Sequence, residues 1–189
     1  APKGKLPYVR IEGEAIGDSE IVIRTLGERY GVTLDAGLDA RGKGWARAIT
    51  RLCDEHLYYL MLYFRWFDED SWRVLKPVFF GSLPFGVRDA VAWAMRRKVR
   101  ATLRAQGLGV HGRDELLAFA RDDLDALDGL LGQVPYYGGE HPCSADAAAY
   151  GILANLIEAT LDTPLSHVAR GYPRLVAYCE RMRERVWSE

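Results

Sequence analysis

The sequence predicts an α-dominated α/β chain, in which a short strand–turn–strand–helix segment precedes an all-helical bundle. Two observations carry that prediction. Strand-like runs of apolar and aromatic residues occur only before residue 17, and from Gly44 onward the apolar residues recur at helical spacing alone. Between these parts, residues 32–42 are rich in Gly, Asp and Ala and read as a linker. The domain division is therefore 1–31, a linker at 32–42, and 43–189.

The first part is read element by element. Leu6, Tyr8, Val9 and Ile11 suit a strand, Glu12-Gly13 supplies hairpin-turn chemistry, and Glu14 to Ile16 suits a returning strand. Gly17-Asp18-Ser19 reads as a helix start. Ile21, Val22, Leu26 and Tyr30 follow at helical spacing, and Gly31 is a natural helix stop. A two-stranded hairpin is marginal by itself. The chain also opens Ala1-Pro2-Lys3-Gly4 without a methionine, so residues are expected to precede it.

In the second part, Trp45, Ile49, Leu52, His56, Tyr59, Tyr63 and Trp66 form one stripe of a long helix, and Leu57, Leu60 and Phe64 form a second apolar face. Residues 74–87 hold Pro77, Gly81, Pro84 and Gly86 and are predicted to be an apolar loop. Residues 88–106 form a basic helix, and Asp114 to Leu131 an amphipathic one with Leu117, Leu124, Leu127 and Leu131 on its apolar side. Gly132 to Pro142 is a loop. Ala145 to Leu161 is a nearly uncharged helix whose Ala147, Ala148, Ala149, Gly151 and Ala154 permit close approach, which predicts a central place in the bundle. Pro173 to Val186 is a final helix.

Composition narrows the function classes. Close to half of the residues are apolar and about a quarter charged, as in ordinary globular proteins. A net charge of -1 provides no global field for nucleic acid or anionic membranes, so no nucleic-acid partner is expected. No apolar run reaches the roughly 18 residues that a membrane span needs. Three cysteines, Cys53, Cys143 and Cys179, do not make a disulfide framework, and a cytoplasmic location is expected.

Two motifs bear on chemistry. The first is Gly4-Lys5-Leu6-Pro7-Tyr8-Val9 followed by Ile16-Gly17-Asp18-Ser19-Glu20. A proline in a strand removes a ladder donor, either because it lies at an edge or because its peptide is shaped to leave neighbouring backbone groups open to a ligand. Backbone N–H groups at a helix start, with the Ser19 hydroxyl, suit a carboxylate; the same residues also serve as an ordinary helix cap. The second motif, His141-Pro142-Cys143-Ser144-Ala145-Asp146, resembles a capping box with a thiol at the usual hydroxyl position. A thiol is a weak hydrogen-bonding group, which favours Ser144 as the cap, one residue out of register.

The first motif resembles the second half of the N-terminal domain of glutathione transferases, and the second resembles the capping box of their central helix. Tyr63-Phe64-Arg65-Trp66, Leu75-Lys76-Pro77-Val78-Phe79-Phe80-Gly81, Gln106-Gly107-Leu108-Gly109-Val110-His111, Asp122-Asp123-Leu124-Asp125-Ala126-Leu127 and Tyr178-Cys179-Glu180-Arg181-Met182 are similar to the branch that holds failed-axon-connections proteins and metaxins. The resemblance implies a partial thioredoxin-like glutathione-binding domain over 1–31 and a glutathione-transferase C-terminal helical bundle over 43–189. It implies that Leu6 and Pro7 offer main chain to the glutathione cysteine, and that Asp18 and Ser19 receive the γ-glutamyl group. Many members carry Glu or Gln where this chain has the shorter Asp18.

On the same resemblance the substrates are glutathione and a small hydrophobic electrophile, with Tyr59, Tyr63 and Trp66 as walls of the electrophile pocket or, equally, as core. No residue can be nominated for thiolate activation, because that donor belongs to the part of the family's domain that would precede Ala1. A homodimer is the default for the family. The alternative function is a non-catalytic interaction module on the same fold.

Other constellations are weaker. Cys53 with His56, and His141 with Cys143, fall short of a zinc ligand set, so no metal is expected and His56 reads as structural. Arg96, Arg97, Lys98, Arg100 and Arg104 make a basic face for which Asp122, Asp123, Asp125 and Asp128 are the expected partners. The aromatic stretch Phe79-Phe80 to Phe85 reads as buried, or else as a patch for a partner.

Overall fold

The computed structural model describes residues 2, 4, 7–84 and 86–187. Among them the chain divides into two compact units, Ala1–Lys43 and Gly44–Glu189.

In the N-terminal unit, strand β1 (Tyr8–Ile11) pairs antiparallel with β2 (Glu14–Gly17), in the register Tyr8↔Gly17 to Ile11↔Glu14. The two-residue turn has positive φ at both Glu12 (51°) and Gly13 (88°), the geometry that matches the right-handed twist of a hairpin. Helix α1 (Ser19–Tyr30) follows, capped by the Asp18 side chain and closed by Gly31 in the left-handed conformation (φ 65°). An Arg29–Glu12 ion pair ties the end of α1 to the hairpin turn.

The long helix predicted from Gly44 begins earlier and is interrupted. Helix α2 (Ala40–Leu52) opens under a cap in which Gly42 N–H donates to Asp39 Oδ1 at 2.7 Å. It runs through a π-turn at Cys53–Leu57 into α3 (Tyr58–Trp66). Ile49, Cys53, Leu57 and Met61 recur at every fourth residue and are all buried. In an α-helix that spacing drifts about 40° per step around the axis. The wider π-turn absorbs the drift and keeps all four on one side. The stripe led by Trp45 is only partly buried: Ile49 is enclosed but Trp45 is 47% exposed, while Leu57, Leu60 and Phe64 are fully buried.

Residues 74–80 are not a loop. They complete α4 (Glu69–Phe80), which starts at the N-cap Asp68, whose Oδ1 accepts from Ser71 N–H at 3.1 Å, and which contains Pro77. A proline inside a helix costs about 3 kcal/mol through the lost N–H and the ring clash. Here Trp72, Leu75 and Phe80 are buried with Ala92, against Trp66, Leu83 and Leu161, and that burial outweighs the penalty. Helices α5 (Val87–Gln106), α6 (Arg113–Leu131), α7 (Ser144–Ile157) and α9 (Pro173–Trp187) lie close to their predicted spans. A short 3₁₀ turn at Leu108–Val110 separates α5 from α6.

Helix α8 (Pro164–Arg170) has no counterpart in the sequence reading. Its signal was present: Thr163 accepts Ser166 N–H at 3.0 Å as the cap, with Pro164 in the first turn. Helix α7 packs on α8, α9 and the π-turn. Of its small residues Ala145 and Ala149 are fully buried, whereas Ala147 and Gly151 are exposed.

Candidate functional site

The hairpin register sets the start of β1 beside the start of α1: Asp18 N–H donates to Pro7 O at 3.3 Å. Pro7, Asp18 and Ser19 are thus adjacent and exposed, while Leu6 lies outside the described residues. Asp18 has φ 87° and ψ 123°, a backbone conformation that side-chain-bearing residues avoid at a cost on the order of 1–3 kcal/mol. Its Oδ1 accepts from Glu20 N–H (3.1 Å) and Ile21 N–H (3.3 Å). The chain's own carboxylate therefore occupies donors that the sequence offered to a ligand. Ser19 Oγ has no hydrogen-bond partner among the described residues.

The three aromatic residues proposed as pocket walls do not share one place. Tyr63 packs edge-on against Phe64 (5.1 Å between centroids) and lines a cleft in the helical unit. Trp66 stacks into the α4 cluster against Trp72 (5.4 Å), Phe79 and Phe80. Tyr59 meets Tyr58 edge-on at 5.2 Å and does not line that cleft. Phe80 is buried but Phe79 is 60% exposed, so the pair splits between the two readings; Phe85 lies outside the described residues.

The cleft encloses about 330 Å³ between α3, α5 and the 3₁₀ turn. Tyr63, Phe67 and Leu103 provide its apolar wall, Arg96, Arg100 and Arg104 its cationic one, and Glu69 its carboxylate, with Gly109 and His111 completing the lining. Arg96 is held by Trp66 O (2.9 Å), Glu69 (3.1 Å) and the face of Trp72 (4.6 Å). The expected pairing of the basic helix with the acidic run of α6 does not occur. Asp123 meets His56, Asp125 accepts from Tyr172 OH at 2.8 Å, and Asp128 pairs with Arg174. Sequence reasoning gave the arginines those aspartates as partners and passed over Phe67; the spacing 96, 100, 104 was the available signal, since it stacks three side chains on one helix face.

The π-turn explains two other motifs. A π-turn breaks the regular ladder, and Gln106 Nε2 donates to its Glu55 carbonyl at 3.0 Å. His56 Nδ1 lies 2.6 Å from Asp123 Oδ2. Burial raises the Asp123 carboxyl pKa against the lowering pull of His56. Among the described residues no group of three His, Cys, Asp or Glu could hold a metal ion. Burial pushes the Cys53 and Cys179 thiols up to about 12 and Cys143 up to about 11, so none is a ready thiolate.

At α7 the register is the family one after all: Cys143, not Ser144, is the N-cap. The thiol works here because Asp146 carries most of the load. Asp146 Oδ2 accepts from Cys143 N–H (2.8 Å) and Gly138 N–H (3.2 Å), and its Oδ1 accepts from Tyr137 N–H (3.0 Å) and Tyr178 OH (3.1 Å). Burial, with the nearby Asp146 carboxylate, raises the Tyr178 phenol far above its ordinary range.

Two family models match the chain: the glutathione S-transferase N-terminal domain over residues 1–71, and the glutathione S-transferase C-terminal domain over residues 120–182. The chain is 32% identical over 191 residues to the isoprene-epoxide–glutathione S-transferase of Rhodococcus sp. (strain AD45), covering 97% of this chain and 79% of that protein. It belongs to the glutathione S-transferase family. Failed axon connections of Drosophila melanogaster is 29% identical over 210 residues, covering 99% of this chain; the chain spans about half of that relative's length, 48%. Metaxin-2 of Mus musculus is 25% identical over 191 residues, covering 100% of this chain and 72% of that protein.

The glutathione S-transferase matches map onto the structure unevenly. The N-terminal match runs from the hairpin through α3, and the C-terminal match from within α6 into α9, so it includes the α7 capping box. Residues 72–119, with most of α4 and all of α5, belong to neither matched stretch. Among the described residues no helix is long and apolar enough to cross a membrane.

Proposed function

We propose that this glutathione S-transferase relative binds glutathione through its N-terminal unit and conjugates it to a small hydrophobic electrophile. The observation that carries the proposal is the strained Asp18 next to a Ser19 hydroxyl with no partner among the described residues, with Pro7 alongside. A backbone held in a costly conformation at an exposed helix start is a hallmark of a site built for a ligand. In this reading Ser19 receives the γ-glutamyl carboxylate, Asp18 the α-amino group, and the main chain at Leu6 and Pro7 the cysteine. Tyr59, Tyr63 and Trp66, set apart from one another in the structure, are not proposed as one electrophile wall. Similarity to an isoprene-epoxide–glutathione S-transferase supports an epoxide-like electrophile. A cytoplasmic homodimer is part of the same proposal.

Calorimetric titration with glutathione tests it. Binding that weakens about tenfold in Ser19→Ala is the expected result, the size of one hydrogen bond to a charged group. Absence of binding, or binding indifferent to Ser19→Ala, would sink it.

A second reading, a non-catalytic interaction module, is favoured by the outward side of α4, where Val74, Val78 and Phe79 are exposed. Similarity to metaxin-2 and Failed axon connections is compatible with it. Val78→Ser with Phe79→Ser would then abolish partner capture and leave glutathione titration unchanged. Phe80, being buried, is not a usable probe of that surface.

A further inference from the structure

The cleft between α3, α5 and the 3₁₀ turn has a charge imbalance that the protein does not resolve internally. Arg96, Arg100 and Arg104 follow one another at i, i+4 and i+8 along α5, so their side chains rise from the same face. The single carboxylate lining the cleft, Glu69, pairs with Arg96. Arg100 and Arg104 have no carboxylate partner among the described residues. Arg100 is nevertheless held in place, with its guanidinium carbon 5.1 Å from the centroid of Phe67. Arg96 stands 5.3 Å from the same ring. Two like charges thus converge on one aromatic ring while only one has a counter-ion, an arrangement that an incoming anion relieves.

We propose that this cleft binds a phosphate monoester attached to an apolar body. The two unpaired guanidiniums match the charge of about -1.5 to -2 that a monoester carries near pH 7. Two planar forks one helical turn apart can grip its three terminal oxygens together, whereas one carboxylate offers only two oxygens. The rings of Tyr63 and Phe67, with Leu103, supply the apolar wall against which the ester's body lies. A volume of about 330 Å³ falls in the range of small-ligand sites. All three arginines lie within residues 72–119, between the two stretches that match glutathione S-transferase domains, while Tyr63, Phe67 and Glu69 lie within the N-terminal match.

The source of the phosphate is either a soluble ester or a lipid headgroup, and the test separates them. Phenyl phosphate is titrated into the full chain by calorimetry, and the chain is sedimented with phosphatidylcholine vesicles containing phosphatidic acid. Phenol serves as the uncharged control. Saturable binding of phenyl phosphate, lost at least tenfold in Arg100→Gln and again in Arg104→Gln, supports a soluble ester. Vesicle binding with the same mutational loss, and no binding of phenyl phosphate, supports a lipid headgroup. The proposal is overturned if neither probe binds, if phenol binds as well as phenyl phosphate, or if the double variant binds unchanged. Both arginines are exposed and without ion pairs, so the variants are expected to melt with the parent protein; Phe67→Leu, which removes the ring but keeps an apolar side chain, checks the stacking separately.

Discussion

Each unit places an aspartate at a helix N-terminus, and the two are used in opposite ways. Asp146 at the start of α7 is fully buried and accepts from three backbone N–H groups and a tyrosine hydroxyl. Asp18 at the start of α1 is exposed, accepts from two N–H groups, and holds a strained backbone beside a serine hydroxyl with no partner among the described residues. The first saturates its hydrogen-bonding capacity and joins the 132–143 loop to α7 and α9. The second leaves capacity unspent. Identical chemistry is therefore structural where it is enclosed and satisfied, and available to a ligand where it is strained and open.

The largest expected effect tests the structural half. Asp146→Ala strands three buried N–H donors and the Tyr178 hydroxyl, and should destabilise the protein by about 3–5 kcal/mol in denaturant unfolding. A loss below about 1 kcal/mol would break the comparison, because it would mean that water replaces the carboxylate.

Alkaline unfolding probes the same enclosure. Burial pushes the folded thiols up to about 11 to 12, above the ordinary value of about 8.5 for a free thiol. Between these values the unfolded chain has lost protons that the folded chain retains, so stability is fully present below about pH 8.5 and falls as pH rises toward 12. Iodoacetamide labelling of Cys53, Cys143 and Cys179 at pH 8 should therefore follow global unfolding, as mass spectrometry along a urea series would show. Labelling of any of the three at zero denaturant would contradict it.

Asp18 is expected to respond less in stability than in binding. Asp18→Gly removes the strain at φ 87° and weakens the cap, which should leave stability equal or raise it by about 0.5–1 kcal/mol. Asp18→Ala loses the cap and keeps the strain, and should cost about 1 kcal/mol. If thermal melts rank the two the other way, the strain assignment fails. The smallest effect belongs to Cys143→Ser. A hydroxyl is the better cap acceptor but a poorer core group, and a change within about 1 kcal/mol of zero is expected in the same melts.

Much of this was readable in advance where the signal is local. Glu12-Gly13 as the turn, Gly17-Asp18-Ser19 as the start of α1 and Gly31 as its stop depend on φ preferences and orphan N–H groups within a few residues. Readings that depended on distant partners failed. Pro77 looked like a breaker because the burial of Trp72, Leu75 and Phe80 against Trp66 and Ala92 could not be seen from the segment itself. The acidic run of α6 looked like the counterpart of the basic helix, yet its carboxylates meet His56, Tyr172 and Arg174.

The sequence by itself determined the family, the α-dominated α/β class with its partial thioredoxin-like start and helical C-terminal domain, and the limits of α1, α5, α6 and α9, because periodicity and turn chemistry are properties of neighbouring residues. Only the tertiary structure decided which polar groups are spent and which are free. Asp146 is saturated, Ser19 Oγ has no partner among the described residues, and Arg100 and Arg104 face a cleft with a single, already paired carboxylate. That distinction arises when segments far apart in the chain bring donors and acceptors together, and no local pattern encodes it.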